Sequence, residues 1–235
     1  MMKFSKITLS GADNAKFLQG QLTVNVDKLS KKLTPCAISN LKGRVQFGLW
    51  AYKSDDDFVL IIASDLADEF IAHLKKYGAF SKINIADVSD VYACVVDGLP
   101  SFHEDASLAD FKAWAALSIQ TGNAWITKAT TELFQPQELR LHQRHGVDYD
   151  KGCYLGQEII ARLYFKASPK AYLHRMHTPI KVADGDKLDK IQVVNAIATP
   201  DGYECLVIGS PEQVAKTGQI LPLPSGLNGD VARVS

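Results

Sequence analysis

The sequence predicts an α+β fold that is built largely on antiparallel sheet. Two patterns carry this prediction: hairpin-like strand pairs alternate with amphipathic helices in the first part of the chain, and short strands separated by Asp-Gly turns fill the last part. The size and composition agree with a folded protein. The chain has 235 residues, of which 46% are hydrophobic, and its 26 basic residues balance 26 acidic ones. This composition excludes disorder over most of the chain.

The first part of the chain is predicted from alternation and helical spacing. The strand at residues 3–9 has Phe4, Ile7 and Leu9 as its larger apolar residues. The other predicted elements are a short helix through Leu18, strands at 33–39 and 45–52 joined as a hairpin, a buried strand at 58–63, a helix at 65–77, and strands at 81–88 and 91–96.

The second part starts with a Gly- and Pro-containing loop, predicted at residues 97–105. It is followed by predicted helices at 108–119, 136–141 and 157–163, and by predicted strands at 174–181, 191–198 and 203–208. After Ser168-Pro169 the sequence pattern changes to short strands separated by turns. We therefore predict two units, an α+β region over residues 1–168 and a small β-barrel-like domain over residues 169–235.

Composition also excludes several function classes. A net charge of zero offers no bulk attraction to nucleic acid, so direct nucleic-acid binding is not expected. The longest apolar run, residues 58–63, is too short to cross a membrane. The start of the chain does not resemble a signal peptide, and the four cysteines are scattered without a C-x-x-C pair. These features predict a cytoplasmic, reduced protein without a metal site.

The most unusual segment is residues 148–158, where Gly152 and Gly156 flank a Cys-Tyr-Leu core. Glycines let a backbone bend sharply and approach another segment closely. Cys153 lies beside Lys151 and close to a predicted helix start, which are conditions that favour a thiolate. The alternative is that Cys153 is a small buried hydrophobic residue.

This segment resembles a known family. The eight residues Lys151–Glu158 read K-G-C-Y-L-G-Q-E and match the signature of the YgfZ family, whose members are folate-binding proteins related to the T-protein of the glycine cleavage system. Further similarities are found at residues 10–23, at Lys42-Gly43-Arg44, and around Trp114. Together the similarities cover most of residues 4–175.

The resemblance implies ferredoxin-like, T-protein-like α+β domains around a folate pocket, followed by a C-terminal β-barrel. It implies a bound folate such as tetrahydrofolate, and iron–sulfur client proteins as partners. The implied function is support for the assembly or repair of iron–sulfur enzymes, including the enzyme that methylthiolates tRNA. The alternative is a tetrahydrofolate-dependent aminomethyltransferase, and whether the chain has turnover of its own stays open.

The resemblance also implies site residues. Cys153 is the candidate functional thiol, and the candidate folate-binding residues are Phe4, Trp114, Lys151, Tyr154, Gln157, Glu158 and Arg162. The sequence departs from the family in two ways. The interval between Ile85 and Trp114 is short, and Phe70 stands where the T-protein has its catalytic aspartate. A phenyl ring cannot transfer a proton, so the sequence favours an accessory protein over an aminomethyltransferase.

A basic cluster precedes the signature and comprises Arg140, His142, Arg144 and His145. It is either an anion site, for example for a carboxylate or an RNA phosphate, or a solvated helix face. A zinc site from His142, His145 and Cys153 lacks a convincing fourth ligand.

Overall fold

The computed structural model describes residues 2–227 and residue 231. Its first sheet has six strands, which run in the order β2-β3-β4-β1-β5-β6. The strands are β1 (Phe4–Ser10), β2 (Thr34–Ser39), β3 (Val45–Ser54), β4 (Asp57–Ala63), β5 (Asn84–Val96) and β6 (Leu99–His103). All of their pairings are antiparallel, which confirms the predicted α+β class with antiparallel sheet.

Two helices link these strands and a third follows them: α1 (Asn14–Gln19), α2 (Ala67–Tyr77) and α3 (Phe111–Gln120). The side chain of Asp110 accepts a hydrogen bond from the backbone N–H of Ala113 and so fixes the start of α3. The predicted start at residue 108 was too early, because residues 106–108 form a separate 3₁₀ turn. The buried residues of α3 are Trp114, Ala115, Ser118 and Ile119.

Three further sequence predictions were wrong. The strands predicted at 81–88 and 91–96 are a single strand, β5, which pairs with both β1 and β6. Residues 97–105 were predicted as a loop, yet they contain β6, whose Pro100 is tolerated because β6 is an edge strand. The helix predicted at 136–141 is a run of turns instead.

The second sheet follows α4 (Gln157–Phe165). It comprises β7 (Tyr172–Thr178), β8 (Lys187–Leu188), β9 (Ile191–Thr199), β10 (Gly202–Gly209) and β11 (Gln219–Leu221), with α5 (Pro211–Thr217) before the last strand. The strand order is β11-β7-β10-β9-β8. The structure therefore shows a five-stranded antiparallel sheet, and closure of this unit into a barrel stays a prediction.

The two sheets share one large apolar core. Leu173, Val194, Leu206 and Ile208 of the second sheet pack into the core formed by the first sheet, α2 and α3. A smaller core around Met176 and Val193 belongs to the second sheet and α5. The predicted boundary at residue 168 thus falls before an intimate contact, and the division into two domains stays a prediction. Among the described residues, no helix has the length and apolarity needed to cross a membrane.

Candidate functional site

The signature segment forms a tight turn that leads into α4. Gly156 precedes the helix with φ of 79°, a conformation that side-chain-bearing residues rarely adopt. A Cβ atom at this position would collide with the carbonyl oxygen of Asn40. The side chain of Gln157 accepts a hydrogen bond from the backbone N–H of Tyr154 at 3.2 Å. We call residues 151–158 the signature turn.

The signature turn docks on the Lys42-Gly43-Arg44 turn. Gly43 has φ of 70°, and a Cβ atom there would lie 2.8 Å from Cβ of Ile159 in α4. The Asn40 side chain holds this partner turn by accepting from the N–H groups of Lys42 and Arg44, at 2.9 and 3.1 Å. Two of the segments that carry the family resemblance therefore pack so closely that a side chain does not fit between their backbones.

Lys151 ties the signature turn to the segment after α1. Its ammonium group donates to the backbone carbonyls of Gln19, Leu22 and Val24 at 2.8, 2.5 and 2.9 Å. It also lies 4.7 Å from the centre of the Tyr154 ring, and burial lowers the pKa of Lys151 to about 8. The ammonium group predicted to contact folate is thus already engaged by three acceptors of the protein.

Asp148 is a residue of this region that sequence reasoning missed. Its carboxylate accepts from the backbone N–H of Asn25 at 2.7 Å and from Nζ of Lys28 at 2.6 Å. Its backbone N–H donates to the carbonyl of Thr23. Asp148 therefore fastens the approach to the signature turn onto the same segment that Lys151 holds. The signal in the sequence that could have identified Asp148 is its position shortly before the signature, which begins at Lys151.

The thiol of Cys153 is exposed, whereas Cys36, Cys94 and Cys205 are buried. Burial raises the pKa of Cys36 and Cys205 to about 12, so these two stay protonated at neutral pH. Of the four cysteines, Cys153 is the one that a second molecule can reach. This placement agrees with the alternative in which Cys153 is functional, and its role stays a prediction.

Phe4 and Trp114 lie in contact, with ring centroids 5.1 Å apart, and both are fully buried. They belong to an aromatic cluster that also contains Trp50, Phe102, Phe111 and Trp125. The structure therefore brings together two of the candidate folate-binding residues. Tyr154 lies elsewhere, in a separate apolar cluster with Val147 and Ile160.

A cavity of about 340 Å³ lies on the sheet face that carries Phe4. Phe102 lines it and contacts both Phe4 and Trp114, at centroid distances of 4.9 and 5.6 Å. The polar lining includes Tyr52, Ser101, His103 and an ion pair between Lys6 Nζ and Glu104 Oε1 at 2.5 Å. This cavity was not predicted, because its lining is contributed by five strands and by the segment before β2.

The remaining predicted site residues lie on the outer side of α4. Glu158 and Arg162 are exposed, and within the described chain no ion pair joins them. Phe70 is fully buried and packs on Phe47 at 5.2 Å, while the neighbouring Glu69 pairs with Lys128 at 2.9 Å. Phe70, which the resemblance aligns with the T-protein aspartate, therefore lies inside the apolar core.

Metal ligands do not converge in the described part of the chain, where no group of three His, Cys, Asp or Glu side chains could hold an ion.

Comparison with known proteins gives matches by sequence and by structure, although no family model matches. The tRNA-modifying protein YgfZ of Yersinia pseudotuberculosis is 28% identical, over 72% of this chain and 67% of the relative. The protein of the same name from Buchnera aphidicola is 27% identical, over 73% and 70%. The crystal structure of the glycine cleavage system aminomethyltransferase T from Bartonella henselae superposes with a TM-score of 0.67 at 13% identity, over 88% of this chain and 76% of that chain. These matches confirm the predicted resemblance and the T-protein-like fold.

Proposed function

Given its homology to the YgfZ proteins, we propose that this chain is a folate-binding accessory protein that supports the assembly or repair of iron–sulfur enzymes in the cytoplasm. The enzyme that methylthiolates tRNA is among the proposed clients. The observation that carries the proposal is the docked signature turn, which joins three of the segments that resemble the family and leaves Cys153 exposed. The match to tRNA-modifying relatives supports the same conclusion.

We place the pterin ring of tetrahydrofolate in the cavity beside Phe102. Its volume of about 340 Å³ lies within the usual range for small-ligand pockets. Phe102 offers an aromatic wall, and Lys6, Ser101 and Glu104 offer donors and acceptors for ring nitrogens and the exocyclic oxygen. In this arrangement Phe4 and Trp114 support Phe102 from behind, and they shape the pocket without touching the ligand.

Calorimetric titration with tetrahydrofolate tests this placement. We expect saturable binding that weakens about tenfold or more in a Lys6→Met variant, because a charged hydrogen-bond partner is lost. Lys53→Met removes an exposed charge on β3, two strands away from β1, and serves as the matched control. Binding that is equal in both variants would refute the placement in this cavity. An absence of binding at millimolar tetrahydrofolate would refute the folate function itself.

The accessory role depends on Cys153 in this proposal. In cells that lack their own YgfZ protein, the wild-type chain is expected to restore methylthiolation of tRNA, and Cys153→Ala is expected to fail. Cys94→Ala removes a buried cysteine and is the matched control. Full methylthiolation with Cys153→Ala, at equal protein level, would show that the thiol is not required.

An aminomethyltransferase is the second candidate, favoured by the likeness to aminomethyltransferase T, which extends to the fold alone. The buried Phe70 opposes it, since no proton can be exchanged there. Turnover of an aminomethyl donor that depends on tetrahydrofolate would establish this activity and displace the accessory role.

A further inference from the structure

Arg144 differs from the other arginine of the basic cluster. Arg140 is buried and donates from Nε to the carbonyl of Leu173 at 2.8 Å and from Nη1 to Gln143 at 2.9 Å. Its guanidinium group also lies over the ring of Tyr172. The side chain of Arg144, in contrast, has no hydrogen-bond or ion-pair partner among the described residues.

The surroundings of Arg144 are apolar. It lines a cleft together with Pro35, Trp50, Trp125 and Leu141, and none of the described residues that line this cleft is acidic. Burial lowers the pKa of Arg144 to about 10, and no carboxylate of the described residues opposes the effect. Trp125 adds a second unused donor, since its buried indole N–H has no acceptor in the described structure.

Arg144 is half-buried, and a cation that is largely removed from water without a counter-charge is unfavourable. Two residues that line the cleft thus have unused donors, and its described lining contains no acidic residue, which favours an anionic acceptor supplied from outside the chain. The guanidinium fork matches the geometry of a carboxylate, to which it donates two parallel hydrogen bonds.

The size of the cleft limits what can enter. Its interior volume is about 30 Å³, room for about two water-sized groups. A carboxylate group is of this size, whereas a pterin ring is far larger. The group that enters is therefore the end of a ligand, and the body of a larger ligand stays outside.

We propose that Arg144 and the cleft beside Trp50 and Trp125 form a binding site for a single carboxylate group. The carboxylate belongs either to a free small acid or to the terminal carboxylate of a longer ligand, such as the glutamyl tail of a folate. The site is separate from the cavity beside Phe102, so it does not depend on pterin binding.

Tryptophan fluorescence tests the site, since two of the three tryptophans line the cleft. The probes are acetate, its neutral analogue acetamide, inorganic phosphate, and p-aminobenzoylglutamate, which carries the folate tail without a pterin. We expect saturation by acetate or p-aminobenzoylglutamate and no response to acetamide. If only p-aminobenzoylglutamate gives a saturating change in fluorescence, the bound carboxylate belongs to a longer ligand. If acetate gives a saturating change with comparable affinity, the ligand is a free acid.

Arg144→Met is expected to weaken the carboxylate probe about tenfold to a hundredfold, and Arg144→Lys by less, because lysine keeps the charge but not the planar fork. Lys187→Met, which removes an exposed charge on β8, is the control.

Equal binding by wild type and Arg144→Met, tighter binding of phosphate than of either carboxylate, or no response to any probe would each overturn the proposal. If Arg144→Met does not fold, the comparison of acetate with acetamide on the wild-type chain still decides it. Failure of tetrahydrofolate to bind would refute the proposed function and leave the carboxylate site standing.

Discussion

The signature turn and the basic cluster each contain a buried or half-buried cation, and the two cations have opposite surroundings. Lys151 donates to three backbone carbonyls, whereas Arg144 faces an apolar cleft without a partner. A cation whose hydrogen bonds are satisfied inside the protein holds the fold together. A cation whose hydrogen bonds are not satisfied inside the protein gains the most free energy from binding a ligand. The hydrogen-bond partners of a buried cation, rather than its residue type, therefore distinguish a cation that stabilises the fold from one that binds a ligand.

The largest effect is expected at Lys151. Lys151→Met leaves three carbonyls without their donor, and we expect the free energy of unfolding to fall by about 3 kcal/mol. Urea unfolding measures this difference. Lys28→Met breaks an exposed ion pair with Asp148 and is expected to change the free energy of unfolding far less than Lys151→Met does. Equal effects of the two substitutions would show that Lys151 does not hold the turn.

Gly156 tests whether the signature turn needs its close backbone approach. Gly156→Ala places a methyl group against the carbonyl of Asn40 and strains a φ of 79°, so we expect a loss of about 2 kcal/mol. Gly152→Ala, where nothing lies within 4 Å, is the matched control and is expected to change stability by less than about 0.5 kcal/mol. Thermal unfolding that does not distinguish the two variants would contradict the docking described above.

Asp184 extends the comparison to a carboxyl group. Burial raises the pKa of Asp184 to about 6, although its carboxylate accepts from the N–H of Ala196 at 2.9 Å. Because the folded state holds this proton more tightly than the unfolded chain, the stabilisation is present below about pH 4 and is lost as pH rises through 6.

We expect the Asp184 contribution to fall by about 1–2 kcal/mol over this interval, and to vanish in Asp184→Asn. Denaturant unfolding across the interval measures it, with Asp189→Asn, which changes an exposed carboxyl group of the same segment, as control. Identical pH profiles for wild type and Asp184→Asn would rule out this carboxyl as the source.

The smallest effect on stability is expected at Arg144. Since its charge is unpaired, Arg144→Met is expected to leave the free energy of unfolding within about 0.5 kcal/mol of wild type or to raise it. Arg140→Met removes the donors to Leu173 and Gln143 and is expected to destabilise by about 2 kcal/mol. A large loss of stability in Arg144→Met would mean that Arg144 is structural after all.

The local sequence pattern predicted much of the fold of this protein. Alternation and helical spacing predicted the α+β class, and the run at 58–63 predicted β4 because continuous apolar residues mark a buried strand. The glycines of the signature predicted a close backbone approach, which Gly156 makes to the turn at Asn40–Gly43 and Gly152 does not make. These predictions succeeded because they depend on residues that are neighbours in sequence.

The tertiary structure alone decided which charged groups are satisfied and where the cavities lie. The three acceptors of Lys151 are 127 to 132 residues away from it, so no spacing rule could reveal them. The strand β6 escaped notice because a proline marks it as a loop, and only its pairing with β5 makes it a strand. How deeply a charged group is buried, and which groups it bonds to, depend on residues that are distant along the chain. Both are decided only when the two sheets pack together.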